Sequence, residues 1–201
     1  MKKLLGWLAL SAGVTHLAAC GLEQGLKNQS VITYPKGAVL RVHDSSALGT
    51  REATRQAIRF ATLESVPYFG AFAASDAGVT GVVVGYHSLD GAKADAVRRC
   101  QERATKNKTD ARTCSLRMTA APTGYQRRQG ITLSEWAGAE WQRYQSEKGP
   151  KAYAFGFPNR YASNFGGASV ELARERALSS CDKGRSKNDA NSRCSLLDLT
   201  P

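Results

Sequence analysis

The sequence predicts an α+β fold built as two tandem strand–strand–helix–strand modules, each with a preceding helix and an internal disulfide. Three observations predict it. The chain repeats itself at a fixed offset. Within each copy the apolar pattern switches from strand-like to helix-like. Each copy also holds two cysteines in the same two places.

Sliding the chain by 81 residues lays Ala71-Phe72-Ala73 on Ala152-Tyr153-Ala154. Gly85, Ser88, Ala92, Ala96 and Cys100 fall on Gly166, Ser169, Ala173, Ala177 and Cys181, and Lys106-Asn107 falls on Lys187-Asn188. After a small gap, Asp110-Ala111 and Cys114-Ser115-Leu116 meet Asp189-Ala190 and Cys194-Ser195-Leu196. Shared order and spacing, closing on one Cys-Ser-Leu, mark a duplicated module.

The elements of each copy follow in order. An apolar stretch, 68–74 or 152–157, reads as a strand. In the first copy a second strand follows over 79–86, marked by Val82-Val83-Val84. The second copy is weaker there, with Tyr161 and Phe165 before Gly166-Gly167, a pair that reads as a turn or bulge. Ser88 and Ser169 stand as helix N-caps, with Asp90 or Glu171 in the first turn where the helix dipole favours an acid. Ala92, Ala96 and Cys100, like their counterparts, lie four apart. That spacing puts them on one helix face, and their small size lets the helix approach a sheet closely. The second cysteine opens a final strand, 115–119 or 195–199.

A helix precedes each module. Over 50–63, Ala53, Ala57, Ile58 and Ala61 share one side and Arg51, Arg55 and Arg59 another. Over 134–145, capped by Ser134, the aromatics Trp136, Trp141 and Tyr144 read as a core face in preference to a ligand platform. Residues 39–42 suggest one further strand. The resulting organisation is a leader over 1–19, a tether over 20–37, a first module over 38–119, a linker over 120–131 with Pro122, Gly124 and Gly130, and a second module over 132–201.

The leader begins Met1-Lys2-Lys3 and continues apolar to residue 19, which is a secretory signal in form and too short for a bilayer span. It ends Leu17-Ala18-Ala19-Cys20, which resembles the lipobox of bacterial lipoproteins. The resemblance implies cleavage before Cys20, acyl chains such as palmitate on that cysteine, and a periplasm-facing protein held to an envelope membrane. Gly21 follows the cysteine where an aspartate would signal inner-membrane retention, so the outer membrane is favoured.

Removing Cys20 from the five cysteines leaves Cys100, Cys114, Cys181 and Cys194 in an oxidising compartment. Three connectivities are open. Local pairing, Cys100–Cys114 and Cys181–Cys194, serves both copies identically and is the one expected. A zinc site is not expected, because the knuckle spacing is missing.

Lys+Arg number 28 against 17 Asp+Glu, a formal net charge of +11, which cleavage lowers to +9 by removing Lys2 and Lys3. Outside the cytoplasm such a charge points to anionic lipid, lipopolysaccharide, cell-wall polymer or an acidic protein, with nucleic acid not expected; solubility alone is the alternative. Arg98, Arg99, Arg103, Lys106, Lys108 and Arg112 gather around the end of the first helix and its disulfide loop, and Arg99, Arg103, Lys106 and Lys108 are the candidate anion-binding set. Arg174, Arg176, Lys183, Arg185, Lys187 and Arg193 gather in the corresponding region of the second copy.

Catalytic constellations are sparse. His43, Asp44 and Ser45 are adjacent in sequence and cannot face one another as a triad, and His87 stands just before Ser88. No Gly-rich phosphate loop occurs. No catalytic residue, metal or cofactor is assigned. The strand–strand–helix–strand pattern with a helix-to-strand disulfide resembles small secreted bacterial domains of unknown function whose copies begin with an alanine-aromatic-alanine strand. That resemblance implies fold and compartment, and no activity. The expected function is therefore a binding, structural or interaction module for anionic envelope components or partner proteins, with a carboxylate-based periplasmic hydrolase as the alternative.

Overall fold

The computed structural model describes residues 30–35, 37–46, 48–62, 68–127, 130–184 and 193–200. The leader and Cys20 lie outside the described residues. Among those residues no helix is long and apolar enough to cross a membrane.

The two copies fold as the repeat predicts. In the first, β3 (Phe69–Ala74) runs to β4 (Thr80–Tyr86), then helix α2 (Leu89–Lys106), a single 3₁₀ turn (Ala111–Thr113), and β5 (Ser115–Pro122). In the second, β7 (Lys151–Gly156) runs to β8 (Arg160–Phe165), helix α4 (Val170–Lys183) and β9 (Ser195–Thr200). Each sheet is antiparallel with its first strand in the middle: β5-β3-β4 and β9-β7-β8. The helix therefore crosses over the central strand to join the two outer ones. The first sheet gains an edge strand, β2 (Ala38–Val42), on β5.

Alternation along the central strand explains the alanine-aromatic-alanine signature. Ala71 and Ala73 pack against Ala92, Ala96 and Cys100 of α2, while Phe72 turns to the other face. Ala152 and Ala154 likewise meet Ala173, Ala177 and Cys181, with Tyr153 on the opposite side. Small residues on both partners bring helix and sheet into close contact, and the aromatic fills the thicker layer beneath the preceding helix. Each module is thus a sheet between two helices, α1 (Arg51–Thr62) in the first and α3 (Glu135–Ser146) in the second.

The caps stand where expected. Ser88 Oγ accepts the Gly91 N–H at 3.1 Å, Ser169 Oγ the Leu172 N–H at 3.2 Å, and Ser134 Oγ the Ala137 N–H at 3.4 Å. Both disulfides are local, Cys100–Cys114 with Cα atoms 5.9 Å apart and Cys181–Cys194 with 6.1 Å. Gly85 and Gly166 share a left-handed backbone, φ +74° and +71°, at the end of the strand that leads into each module's helix.

Four expectations need correction. Ile58 and Ala61 are exposed, and α1 instead buries Ala53 and Phe60, whose ring meets Phe72 with centroids 6.2 Å apart. Positions 53, 57 and 60 form the true helical stripe. In α3 the stripe is Ala137, Trp141 and Tyr144, while Trp136 falls one position outside it and stays 54% exposed. Residues 120–122, expected in the linker, continue β5 because β2 pairs with them out to Pro122. The described part of the tether is held in place: β1 (Val31–Ile32) pairs parallel to β6 (Ile131–Thr132), and Tyr68 Oη both donates to the Tyr34 carbonyl and accepts its N–H at 2.7 Å.

Candidate functional site

The cationic corner lies where α2 ends and the first disulfide loop begins. Ala92, Ala96, Cys100 and Ala104 bury one face of α2, so the residues between them face outward. Most of these cations are already engaged. Asp95 accepts from Arg98 and, at 2.9 Å, from Arg99 Nε, while Arg98 Nη1 reaches Glu102 at 2.5 Å. Asp95 is also the acceptor of the buried Tyr86 hydroxyl, whose pKa is raised first by burial and then by that carboxylate. Arg103 Nη1 donates to the Thr80 carbonyl at 3.0 Å, tying the helix to the edge strand β4. Arg112 pairs with Asp110 at 2.9 Å.

Lys106 and Lys108 differ. Both are exposed and make no side-chain ion pair or hydrogen bond among the described residues. Around this corner six cations meet three acids, Asp95, Glu102 and Asp110, which leaves three positive charges in excess. Of the four candidate residues, Lys106 and Lys108 are free for a ligand. Arg99 and Arg103 hold the scaffold beneath them. In the second copy, Arg185 and Lys187 lie outside the described residues.

Three buried cations escaped the sequence reading. Arg117 of β5 bonds Asp44 and Ser46, with Asp76 at 3.6 Å. Lys151 at the start of β7 donates to the Tyr144, Gln145 and Glu147 carbonyls at 3.1, 3.3 and 2.7 Å, capping α3 from outside the helix. Arg160 of β8 reaches the Phe157 carbonyl at 3.0 Å and Asp182 at 3.3 Å, and Asp182 in turn accepts the Cys194 N–H. Their signal was a charged residue inside an apolar strand, as in Leu116-Arg117-Met118.

His43 and Asp44 diverge. His43 Nε2 meets Thr119 Oγ1 at 2.8 Å, while Asp44 accepts the Ser46 N–H at 2.8 Å and bonds Arg117. These bonds, the Ser46 N–H first, hold the Asp44 carboxyl below its usual range. His87, in contrast, is fully buried between the two modules.

Among the described residues, two clefts open on the first module. One of about 260 Å³ is lined by Glu52, Gln56, Arg59, Phe60 and Val82. The other, about 150 Å³, lies over Phe72 and Met118 with Asp44 and Arg117 at its side. Each has a single carboxylate in its lining, and Glu52 is paired with Arg55 at 2.5 Å. The described carboxylates with a resolved shift, Asp44, Asp95 and Asp110, are all lowered, the reverse of what a general acid needs. No group of three metal-ligating side chains occurs among the described residues.

No family model, curated protein or solved structure matches this chain.

Proposed function

We propose that the protein is a lipid-anchored envelope lipoprotein, processed at Cys20 and facing the periplasm. In this reading it acts as a binding module for anionic envelope components, such as anionic lipid, lipopolysaccharide or a phosphate-bearing wall polymer, or for a partner protein that presents such charge. The observation that carries the binding role is Lys106 and Lys108, exposed and unpaired on a corner that the Cys100–Cys114 bridge holds to the sheet. Each of the two described clefts is lined by one carboxylate that is salt-bridged or hydrogen-bonded, which supports binding over the hydrolase reading at these two places.

The test is binding of the unlipidated protein to vesicles with and without anionic lipid or lipopolysaccharide across a salt series. Binding is expected only to the anionic vesicles and should weaken as salt shortens the screening length below about 8 Å. Replacing Lys106 and Lys108 by glutamine should remove most of it. Replacing Arg99 and Arg103 as well should add less, because those guanidiniums already hold Asp95 and Thr80. Salt-insensitive binding, or none, would return the charge to a role in solubility.

A further inference from the structure

His87 joins the two modules, and it does so only as a neutral ring. The Arg160 carbonyl, 2.9 Å from Nε2, can only accept, so Nε2 carries the proton. Nδ1 accepts the Ser134 backbone N–H at 2.9 Å. The His87 backbone N–H donates to the Pro158 carbonyl at 3.0 Å. One residue of the first module thus reaches both the start of α3 and the β7–β8 turn of the second. The rings of Phe155 and Phe157 close over the imidazole, with centroids 6.1 and 6.4 Å away.

A second ring proton has no acceptor. Placed on Nδ1, it would point at the Ser134 N–H, so a cationic ring loses that bond and disfavours the closed seam. The surrounding charges do not relieve this. Arg160, on β8, is itself cationic and is held by Asp182 and the Phe157 carbonyl. From α3, the near groups are the helix-start N–H dipoles and Glu135, in the first turn. On the His87 side, Asp90 is paired with Lys93 and Arg127, and the Tyr86 hydroxyl is held by Asp95. No carboxylate bonds the imidazole. The matching position in the second copy, 81 residues on, is Ala168, so the histidine occurs only where one module meets the other.

We propose that His87 is an acid-operated latch: on taking a second ring proton it releases the start of α3 and the β7–β8 turn, and the seam opens while each disulfide-stapled module keeps its core. The latch is independent of how the protein is anchored. Burial is the main cause lowering the ring's pKa from 6.5 to about 4; the Arg160 carbonyl partly opposes this, and the Arg160 charge adds to it. Above pH 6.5 the ring is neutral whether the seam is open or closed, and the latch is at full strength. Between 6.5 and 4 the open form binds a proton that the closed form refuses, so the opening constant rises by up to tenfold per pH unit. Below 4 the effect levels off. Opening would uncover Phe155, now 4% exposed, beside the half-exposed Phe157.

Amide exchange on the full chain from pH 7.5 to 4, expressed as protection relative to the intrinsic rate at each pH, tests this. Protection over 131–138 and 157–161 should fall by up to tenfold per unit below 6.5, while β3 and β7 stay protected. His87→Asn, which keeps an acceptor near Nδ1 and does not titrate in this range, should give a flat response. Ring NMR of the wild type should show the Nε2–H tautomer at pH 7. Flat junction protection in the wild type, or an equal decline in His87→Asn, would overturn the latch. If the variant does not fold, a wild-type ring that titrates near 6.5 with the seam still protected would overturn it equally.

Discussion

Arg117, Lys151 and Arg160 lie inside the protein, each nearly covered, and each is answered by a carboxylate or a set of carbonyls. A buried cation is tolerated when its charge is answered, so these three bind parts of the fold to one another, although the Arg117 Nε–H finds no acceptor among the described residues. A different constraint acts at Gly81. A Cβ there would stand 2.0 Å from the Ala96 carbonyl oxygen and 2.6 Å from the Cys100 nitrogen, so α2 rests directly on the strand backbone. The second copy has Ala162 at this position, in the same register with its central strand, so α4 leaves room for a methyl that α2 does not. Gly81→Ala should therefore destabilise by about 1–3 kcal/mol through overpacking. Calorimetry would show this as a lower melting temperature, by roughly 2–4 °C per kcal/mol at this chain length. An unchanged midpoint would mean the contact is looser than described.

At the scale of elements, each module depends on a helix held to its sheet at both ends. Ser88 or Ser169 satisfies the first turn, and the disulfide pins the C-terminal half of the helix to the residue before the final strand. Closing a loop of about 15 residues is worth roughly 3 kcal/mol in the chain-entropy model. Replacing Cys100 and Cys114 together by serine should cost about that much. Non-reducing peptide mapping of the wild type should recover Cys100 with Cys114 and Cys181 with Cys194. A peptide joining Cys100 to Cys181 would contradict local pairing. The outer helices were less legible. Both were expected from their apolar spacing, but which residues face inward depends on a sheet built from distant strands. Phe60 is buried because Phe72 lies beneath it, and Ile58, equally apolar, is left in solvent.

At the scale of the whole molecule, three of the described cations, Arg117, Lys151 and Arg160, are buried in the fold, and most of the others lie at the surface. Lys106 and Lys108 belong to the second group, and the salt dependence of vesicle binding should follow them. The proposed anchor belongs to this scale too. Under the lipoprotein reading, Cys20→Ser should leave unprocessed or soluble protein, and cell fractionation showing wild-type membrane retention would defeat that reading. Nine residues lie between Cys20 and Ser30, ten steps along the chain with a reach of at most about 36 Å, before the β1–β6 pairing begins.

The sequence by itself determined the duplicated module, its strand and helix order, its serine caps and its cystine pairing. Each is written in local spacing: period two for a strand, four for a helix face, and a cysteine pair that recurs in both copies 14 and 13 residues apart. Only the tertiary structure decided the rest. It placed Arg117, Lys151 and Arg160 inside, paired residues 31–32 with the strand before the second module's helix and Tyr34 with Tyr68 of the first, and set His87 between the copies. Those outcomes depend on which backbone carbonyls and rings meet across the seam. Neither copy's own pattern encodes that, because the contact lies outside the period that both copies share.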